Sequence, residues 1–230
     1  MVKEIFKNYN IDLSNKQISQ FDEYYNLLVE TNKVMNLTAI TEERDVAVKH
    51  FLDSVLPYKE FKDDSTVVDV GSGAGFPAIP LKILRPDLKI EMVDSLNKRV
   101  GFLNAVIQQL QLGEIEAVHS RAEDFAKNKR ECFDVAIARA VAPLNTLVEY
   151  LLPLVKNGGR AIVYKSAKLE EELENAQKAI TLLGGKVEKI LNYNIKEDNL
   201  QRKILIIRKI KETPKKYPRD KNKPKLDPIR

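Results

Sequence analysis

The sequence predicts an α/β protein, in which a mostly parallel sheet of seven strands carries helices on both faces and a helical extension precedes the sheet. Strand-like and helix-like patterns alternate from Val67 onward. A glycine turn follows the first strand-like run, and an acidic residue, Asp94, ends the second. With 230 residues, 43% of them apolar, the chain is long enough for one domain of generous size.

The first sixty residues are predicted to be helical, because neither Gly nor Pro occurs before Pro57. Apolar side chains recur at helical spacing at Ile18, Phe21, Tyr25, Leu28 and Val29. Ser14 is the predicted N-cap of this helix, and a second helix is predicted over residues 42–56. The second helix carries His50, which we interpret as a packing residue rather than a ligand.

Residues 66–84 predict a strand, a glycine turn and a helix, and the rest of the sheet is organised around them. The β-branched run over residues 67–70 is typical of a strand that is buried on both faces. Gly71, Gly73 and Gly75 then follow at a spacing of two. Glycines this close together allow positive φ angles and leave backbone N–H groups open to a ligand.

The residues around the turn indicate which ligand it binds. A dinucleotide fingerprint, G-x-G-x-x-G, would require glycine where this chain has Phe76. A G-x-G-x-G turn after an acidic residue instead favours S-adenosylmethionine. Asp94 lies 23 residues beyond Gly71, close to where an adenosine-binding fold places a carboxylate against the ribose hydroxyls.

The remaining elements continue the alternation. Strands are predicted at residues 67–70, 89–94, 115–119, 132–139, 160–165, 186–193 and 201–210, with helices at residues 98–112, 144–154 and 169–183. Residues 157–159 are predicted to form a turn before the fifth strand. Arg139 and Lys165 stand at carboxyl ends of strands, where ligands collect in such sheets. The count of seven strands is that of class I methyltransferases.

The positive charge is concentrated near the end of the chain. Residues 208–230 hold ten Lys/Arg and three Asp/Glu, whereas the preceding part holds 28 basic and 30 acidic residues. A solvated polar tail is one interpretation. We favour a polyanionic partner, because lysine and arginine gain affinity by releasing counterions from phosphates. The predicted divisions are a helical cap (1–60), a Rossmann-like domain (61–210) and a basic tail (211–230).

Composition excludes several other classes. The single cysteine, Cys132, cannot form an internal disulfide, and with two histidines it makes no plausible zinc set, so we expect no metal. Cys132 begins a strand that we predict to be buried, where a structural role is expected.

There is no apolar run of membrane-spanning length and no signal-peptide pattern at the start. We therefore expect a cytoplasmic protein without membrane association. Because no apolar surface repeat stands out, we also expect a monomer.

A set of short segments carries a closer resemblance than a fold class. In chain order they are Asn32-Lys33, Asn36-Leu37-Thr38, His50-Phe51-Leu52-Asp53-Ser54, residues 69–77, Asp94-Ser95, Lys98-Arg99, Arg121 with Glu123, Arg139-Ala140 and Tyr217-Pro218-Arg219. With these segments the chain resembles the bacterial 16S ribosomal RNA guanine-N7 methyltransferase family, RsmG, also called GidB. Many methyltransferases share the glycine turn alone, but this set in this order is specific.

The resemblance implies an S-adenosylmethionine site, with S-adenosylhomocysteine as the product. The implied cofactor residues are Gly71, Gly73, Gly75, Phe76, Asp94, Ala122, Glu123 and Arg139. Glu123 is expected to accept from the adenine amino group or from a neighbouring amide. Arg139 is expected to hold the cofactor carboxylate or to orient the target guanine.

The implied substrate is one guanine of 16S rRNA, in the 30S subunit or an assembly intermediate. The predicted RNA-binding residues are Lys98, Arg99, Arg121, Lys165, Tyr217 and Arg219. Because guanine N7 has an exposed lone pair and no proton to lose, its methylation requires positioning and no catalytic acid or base. Arg139, Arg121 and Lys165 are expected to supply positioning and electrostatics. The alternatives are methylation of another RNA position, a small molecule or a protein, and RNA binding without turnover.

Overall fold

A computed structural model describes residues 1–166 and 169–229. Within them, seven strands form one sheet in the order β3-β2-β1-β4-β5-β7-β6. The strands are β1 Thr66–Val70, β2 Lys89–Asp94, β3 Ile115–His119, β4 Phe133–Arg139, β5 Val155–Lys165, β6 Gly185–Ile195 and β7 Leu200–Lys209. Strands β1 to β5 are parallel, whereas β7 is antiparallel to both β5 and β6. The predicted fold class is confirmed.

Helices cover both faces of the sheet. They are α1 Val2–Lys7, α2 Asn15–Met35, α3 Glu43–Val46, α4 Asp53–Val55, α5 Ala78–Leu84, α6 Asn97–Gln109, α7 Ala122–Asn128, α8 Leu144–Leu151, α9 Leu169–Leu182 and α10 Lys223–Leu226. A π-helix, Ala47–Leu52, joins α3 to α4. Because side chains alternate along a strand, Val67 belongs to the apolar cluster on one face and Val68 to the cluster on the other.

The helical extension shares its core with the sheet. Ser14 is the N-cap of helix α2 and forms a capping box with Gln17, as the sequence predicts. Tyr24 of this helix packs its ring against Phe51 and Phe76. One continuous apolar cluster therefore runs from the first helices to the strands. The division between residues 60 and 61 stays a prediction.

Two local expectations were wrong. Strand β5 begins at Val155, and the glycines predicted to form a preceding turn lie inside it as a bulge. Phe133 pairs with Val155 but Val135 pairs with Arg160, so extra residues are accommodated on β5. Cys132 precedes β4 and is exposed, which contradicts its predicted place in a buried strand.

The basic tail is anchored to the domain rather than extended into solvent. Just before the tail, the buried Nζ of Lys209 at the end of β7 donates to Glu131, to the Leu152 carbonyl and to Thr213 of the tail. Burial lowers the pKa of this lysine, and these three acceptors compensate for the lost hydration. Arg219 pairs with Glu149, which is 0% exposed. Arg230, the last residue of the predicted tail, lies outside the described residues.

No helix in the described part of the chain combines the length and the apolar character needed to cross a membrane.

Candidate functional site

The glycine turn lies at the carboxyl end of β1. Gly71, Gly73 and Gly75 have φ angles of +76°, +59° and +98°, which confirms the predicted positive φ. An added Cβ at Gly71 would lie 2.7 Å from a methyl of Val141, and one at Gly75 would lie 2.7 Å from the hydroxyl of Tyr24. Glycine is therefore required at both ends of the turn, for its backbone angle and for space.

Asp94 is fixed beside this turn. Its carboxylate is 3% exposed and accepts hydrogen bonds of 2.9 Å from the backbone N–H groups of Gly73 and Leu96. The Arg99 guanidinium lies 3.6 Å from one of its oxygens. Because β2 is the neighbour of β1, these bonds hold an acidic group against the turn, where the sequence expects a ribose contact. That contact stays a prediction.

A cavity of about 230 Å³ opens next to the turn. Its lining includes Gly71, Ala122, Glu123, Tyr150 and Asn222. Glu123 is 4% exposed and accepts from the backbone N–H of Asn222 at 3.3 Å. Burial and the Glu123 carboxylate raise the pKa of Tyr150 to about 12, so its hydroxyl keeps its proton at neutral pH. The structure thus brings three of the implied cofactor residues to one cavity.

Asp69 is a buried acid under the turn. The side chain is completely buried two positions before Gly71, and neither of its oxygens meets a donor in good hydrogen-bond geometry within the described residues. The Ser72 hydroxyl and the Ala78 N–H are its neighbouring donors, and burial raises the pKa of Asp69 to about 8. A buried acid with incomplete hydrogen bonding is costly unless a ligand completes its environment, so this position fits a site that receives a polar cofactor.

A second group of side chains lies around Phe76, the residue that follows Gly75 of the turn. The Phe76 ring stacks on His50 with a centroid distance of 4.5 Å, and the Arg139 guanidinium lies 5.0 Å from the Phe76 centroid. Arg139 donates to Asp53 at 3.0 Å and to the Lys49 carbonyl at 3.1 Å. The helical extension therefore holds the strand-end arginine in place.

His50 and Asp53 are the site residues whose role the sequence did not predict. His50 does pack, as expected, but it packs on Phe76 and bonds Thr38 Oγ1 through Nε2 at 2.8 Å. Both residues belong to the segment His50-Phe51-Leu52-Asp53-Ser54, which is part of the family resemblance. That resemblance was the signal in the sequence that could have identified them as site residues. Their surroundings depend on contacts with Arg139, about ninety residues away, and no local pattern shows such contacts.

The environment of His50 predicts a pH dependence. Burial and the nearby Arg139 guanidinium lower the pKa of His50 from 6.5 to about 4. The unfolded chain therefore binds a proton that the folded chain rejects, and stability is lost as the pH falls from 6.5 towards 4. We expect a loss of about 3 kcal/mol in the free energy of unfolding over this window, at about 1.4 kcal/mol per pKa unit.

Urea unfolding at pH 7 and pH 4 measures this loss, with His50→Asn as the comparison. Asp69 acts in the opposite direction, because its raised pKa stabilises the protonated folded form as the pH falls. That contribution is present in both proteins, so the difference between them isolates His50. If the free energy of unfolding depended on pH equally in both proteins, the loss could not be assigned to His50.

The predicted basic residues lie in different surroundings. Lys98 is exposed at the start of α6. Arg121 precedes α7 and donates to the Asn222 side chain at 2.8 Å. Lys165 is paired with Glu172 at 2.6 Å and donates to the Ala142 carbonyl at 3.0 Å. Lys165 is thus half-buried near the site, whereas Lys98 has its charge in solvent.

Tyr217 and Arg219 hold the tail in place. Tyr217 is 8% exposed and belongs to an apolar core cluster, so its ring is not presented for stacking on a base. The Nε and Nη2 atoms of Arg219 donate to the two carboxylate oxygens of Glu149 at 2.9 Å and 2.8 Å. Burial of Tyr217 and the ion pair of Arg219 do not favour RNA contact by these two side chains, and that contact stays a prediction.

Other basic residues line an open groove between the tail and α7. This basic groove has a volume of about 690 Å³. Its cationic lining, apart from Arg219, is Lys127, Arg130, Lys215, Lys216, Lys221 and Lys223. The backbone of Tyr217 is held there by Arg130, which donates to its carbonyl at 2.7 Å.

Within residues 1–166 and 169–229, no group of three or more His, Cys, Asp or Glu side chains could hold a metal ion.

Two solved structures that resemble this fold are a protein in complex with MeSAdo and an rRNA methylase. TYW2 of P. horikoshii, solved in complex with MeSAdo, has a TM-score of 0.55 and 17% identity, covering 69% of this chain and 62% of its own. An rRNA methylase from Streptococcus thermophilus has a TM-score of 0.51 and 18% identity, covering 70% of this chain and 95% of its own. At these identities the comparisons show the fold.

Sequence comparison identifies the family. The model of the GidB family, rRNA small subunit methyltransferase G, matches residues 17–204. Ribosomal RNA small subunit methyltransferase G of Staphylococcus aureus strain bovine RF122 / ET3-1 is 51% identical over 229 residues, covering 98% of this chain and 96% of its own length. The protein of the same name from strain JH9 is 50% identical with the same coverage. These matches confirm the resemblance found in the motifs, and the chain belongs to the rRNA small subunit methyltransferase G family.

Proposed function

We propose that the protein transfers the methyl group of S-adenosylmethionine to N7 of one guanine in 16S rRNA of the small ribosomal subunit. The observation that carries the proposal is the cavity beside the glycine turn, which Gly71, Ala122 and Glu123 line, while Asp94 at the end of the neighbouring strand is bonded to the turn at Gly73. Family membership supports the RNA substrate, and the motif resemblance supports the target atom. We place the protein in the cytoplasm, where small subunits are made, and infer a monomer.

The residues around the turn fit the proposed cofactor. Asp94 would accept from the ribose hydroxyls, and Glu123 would accept from the adenine amino group. The backbone of the turn would face the amino-acid part, close to the buried Asp69. When bound, the cofactor supplies an electrophilic methyl group on a sulfonium.

The contribution of the protein to the reaction is positioning. Guanine N7 attacks through its own lone pair, so no residue has to remove a proton. His50 is neutral at physiological pH, and it packs flat on Phe76 beside the Arg139 guanidinium. These three groups give a stacking surface and a fixed positive charge next to the turn. Arg139 would act on the cofactor carboxylate or on the target guanine.

One experiment separates the candidate functions. Purified protein is incubated with tritiated cofactor and with 30S subunits from a strain that lacks this enzyme. We expect methyl transfer to 16S rRNA, at a guanine revealed by N7-specific chain cleavage. Binding of RNA without transfer would favour a non-catalytic binding protein. Transfer to protein or small molecules in place of RNA would overturn the proposed substrate.

The basic groove predicts how the RNA is bound. Lys215 and Lys216 are exposed on its rim, and phosphate contacts there would release counterions. We expect Lys215→Ala with Lys216→Ala to weaken RNA binding, and to lower the slope of log K against log salt by about 1 to 2. Filter binding at several salt concentrations measures both quantities.

The matched control removes the same charge elsewhere. Lys3 and Lys7 are exposed lysines on α1, which does not line the groove. The pair Lys3→Ala with Lys7→Ala should leave the salt slope almost unchanged. Equal losses in the two double variants would show that only net charge matters, and would remove the groove from the RNA surface.

A further inference from the structure

The basic tail reaches the cavity beside the glycine turn, where we propose that the cofactor binds. Asn222 lines this cavity together with Gly71, Ala122 and Glu123. The backbone N–H of Asn222 donates to Glu123 Oε1 at 3.3 Å, and its side-chain Oδ1 accepts from Arg121 at 2.8 Å. Asn222 lies about one hundred positions beyond the start of α7. It nevertheless contacts both Arg121 and Glu123, the two residues that flank Ala122.

The tail is fastened on both sides of Asn222. Before it, Arg219 is bound to the buried Glu149. After it, the hydroxyl of Thr146 donates to the carbonyl of Pro224 at 3.0 Å. Thr146 and Glu149 both belong to α8, so one helix holds the two ends of the segment. The position of Asn222 at the cavity is therefore set by the fold.

The backbone of Asn222 adopts the left-handed conformation, with φ of 60° and ψ of 12°. Asparagine tolerates this region better than most residues, although it carries some strain. In this conformation both the N–H and the side-chain oxygen are used by residues of the cavity wall. One oxygen of Glu123 is thereby occupied, whereas Oε2 accepts no hydrogen bond within the described residues.

We propose that Asn222 is a positioning residue for the cofactor, which orients Glu123 and Arg121 so that the free carboxylate oxygen recognises the adenine amino group. The proposal rests on the proposed function, because it takes S-adenosylmethionine as the cofactor. An amino group is a donor and a carboxylate oxygen an acceptor, so the pair is complementary. Hypoxanthine carries an oxygen at that position and would meet Glu123 with two acceptors.

Isothermal titration calorimetry with S-adenosylhomocysteine and S-inosylhomocysteine tests the proposal on the full-length protein. The variant is Asn222→Gly, which keeps the left-handed backbone and removes the contact with Arg121. We expect S-adenosylhomocysteine to bind about tenfold more weakly, the equivalent of one hydrogen bond to a charged group. S-inosylhomocysteine should change little, so the preference between the two ligands should fall.

The control is Asn199→Gly, because Asn199 is an exposed asparagine with φ of 50° in the turn between β6 and β7. It should bind both ligands as the unaltered protein does. Unchanged affinity in Asn222→Gly, or an equal loss for both ligands, would overturn the role in adenine recognition. Failure of the unaltered protein to bind S-adenosylhomocysteine would instead overturn the proposed function, and the inference with it.

Discussion

Replacement of Arg139 by alanine is expected to lower the kcat/KM of methyl transfer by about 10²- to 10³-fold, the loss typical of removing one preorganised donor from an active site. The guanidinium lies at the carboxyl end of β4, over the Phe76 ring and beside His50. Its bond to Asp53 fixes it before any substrate arrives. Steady-state transfer of tritiated methyl groups to 30S subunits measures the effect.

Arg202 provides a matched control for this variant. It lies on β7, and its Nε donates to the other oxygen of Asp53 at 3.0 Å. If the loss came only from unpairing Asp53, Arg202→Ala would be as inactive as Arg139→Ala. We expect Arg202→Ala to keep most of its activity, and Arg139→Lys to be intermediate, because lysine keeps the charge without the planar fork. Unchanged turnover in Arg139→Ala would refute the assignment.

Replacement of Arg219 by alanine is expected to lower the free energy of unfolding by about 3 kcal/mol, the lower end of the cost of breaking a buried ion pair. The variant leaves the Glu149 carboxylate inside the protein without its cation. The backbone N–H of residue 219 still donates to Glu149, so the loss is partial. Urea unfolding followed by circular dichroism measures it.

The same substitution in a Glu149→Gln background should cost much less, because no buried charge is left unpaired. A cost that is equal in both backgrounds would show that the pair does not stabilise the tail. RNA binding of the single variant adds a second measurement. Weaker RNA binding with unchanged stability would support the original expectation that Arg219 contacts RNA.

The sheet was predictable from sequence wherever local patterns determine structure. The bounds of β2 and β3 agree with the predicted 89–94 and 115–119, because each is a short segment in which apolar and polar residues mix between turn residues. The positive φ angles of Gly71, Gly73 and Gly75 follow from what only glycine adopts readily. The bulge in β5 was not predictable, because its register depends on pairing with β4 rather than on its own residues.

The candidate site shows the same division between local and distant effects. Arg139 was placed at a strand end by its position in the pattern, and it stands there. Its partner Asp53 could not be predicted, because the pair forms only when the helical extension packs on the sheet. Arg219 is the clearest case of a contact that the sequence does not predict. It belongs to a run of positive charge, and nothing in that run indicates that its guanidinium pairs with the buried Glu149. Such contacts depend on tertiary packing.

The tail also connects the cavity to the basic groove. Asn222 lines the cavity beside the glycine turn, whereas its chain neighbours Lys221 and Lys223 line the basic groove. One short segment therefore forms a wall of both. A displacement of this segment would change the shape of the cavity and of the groove together.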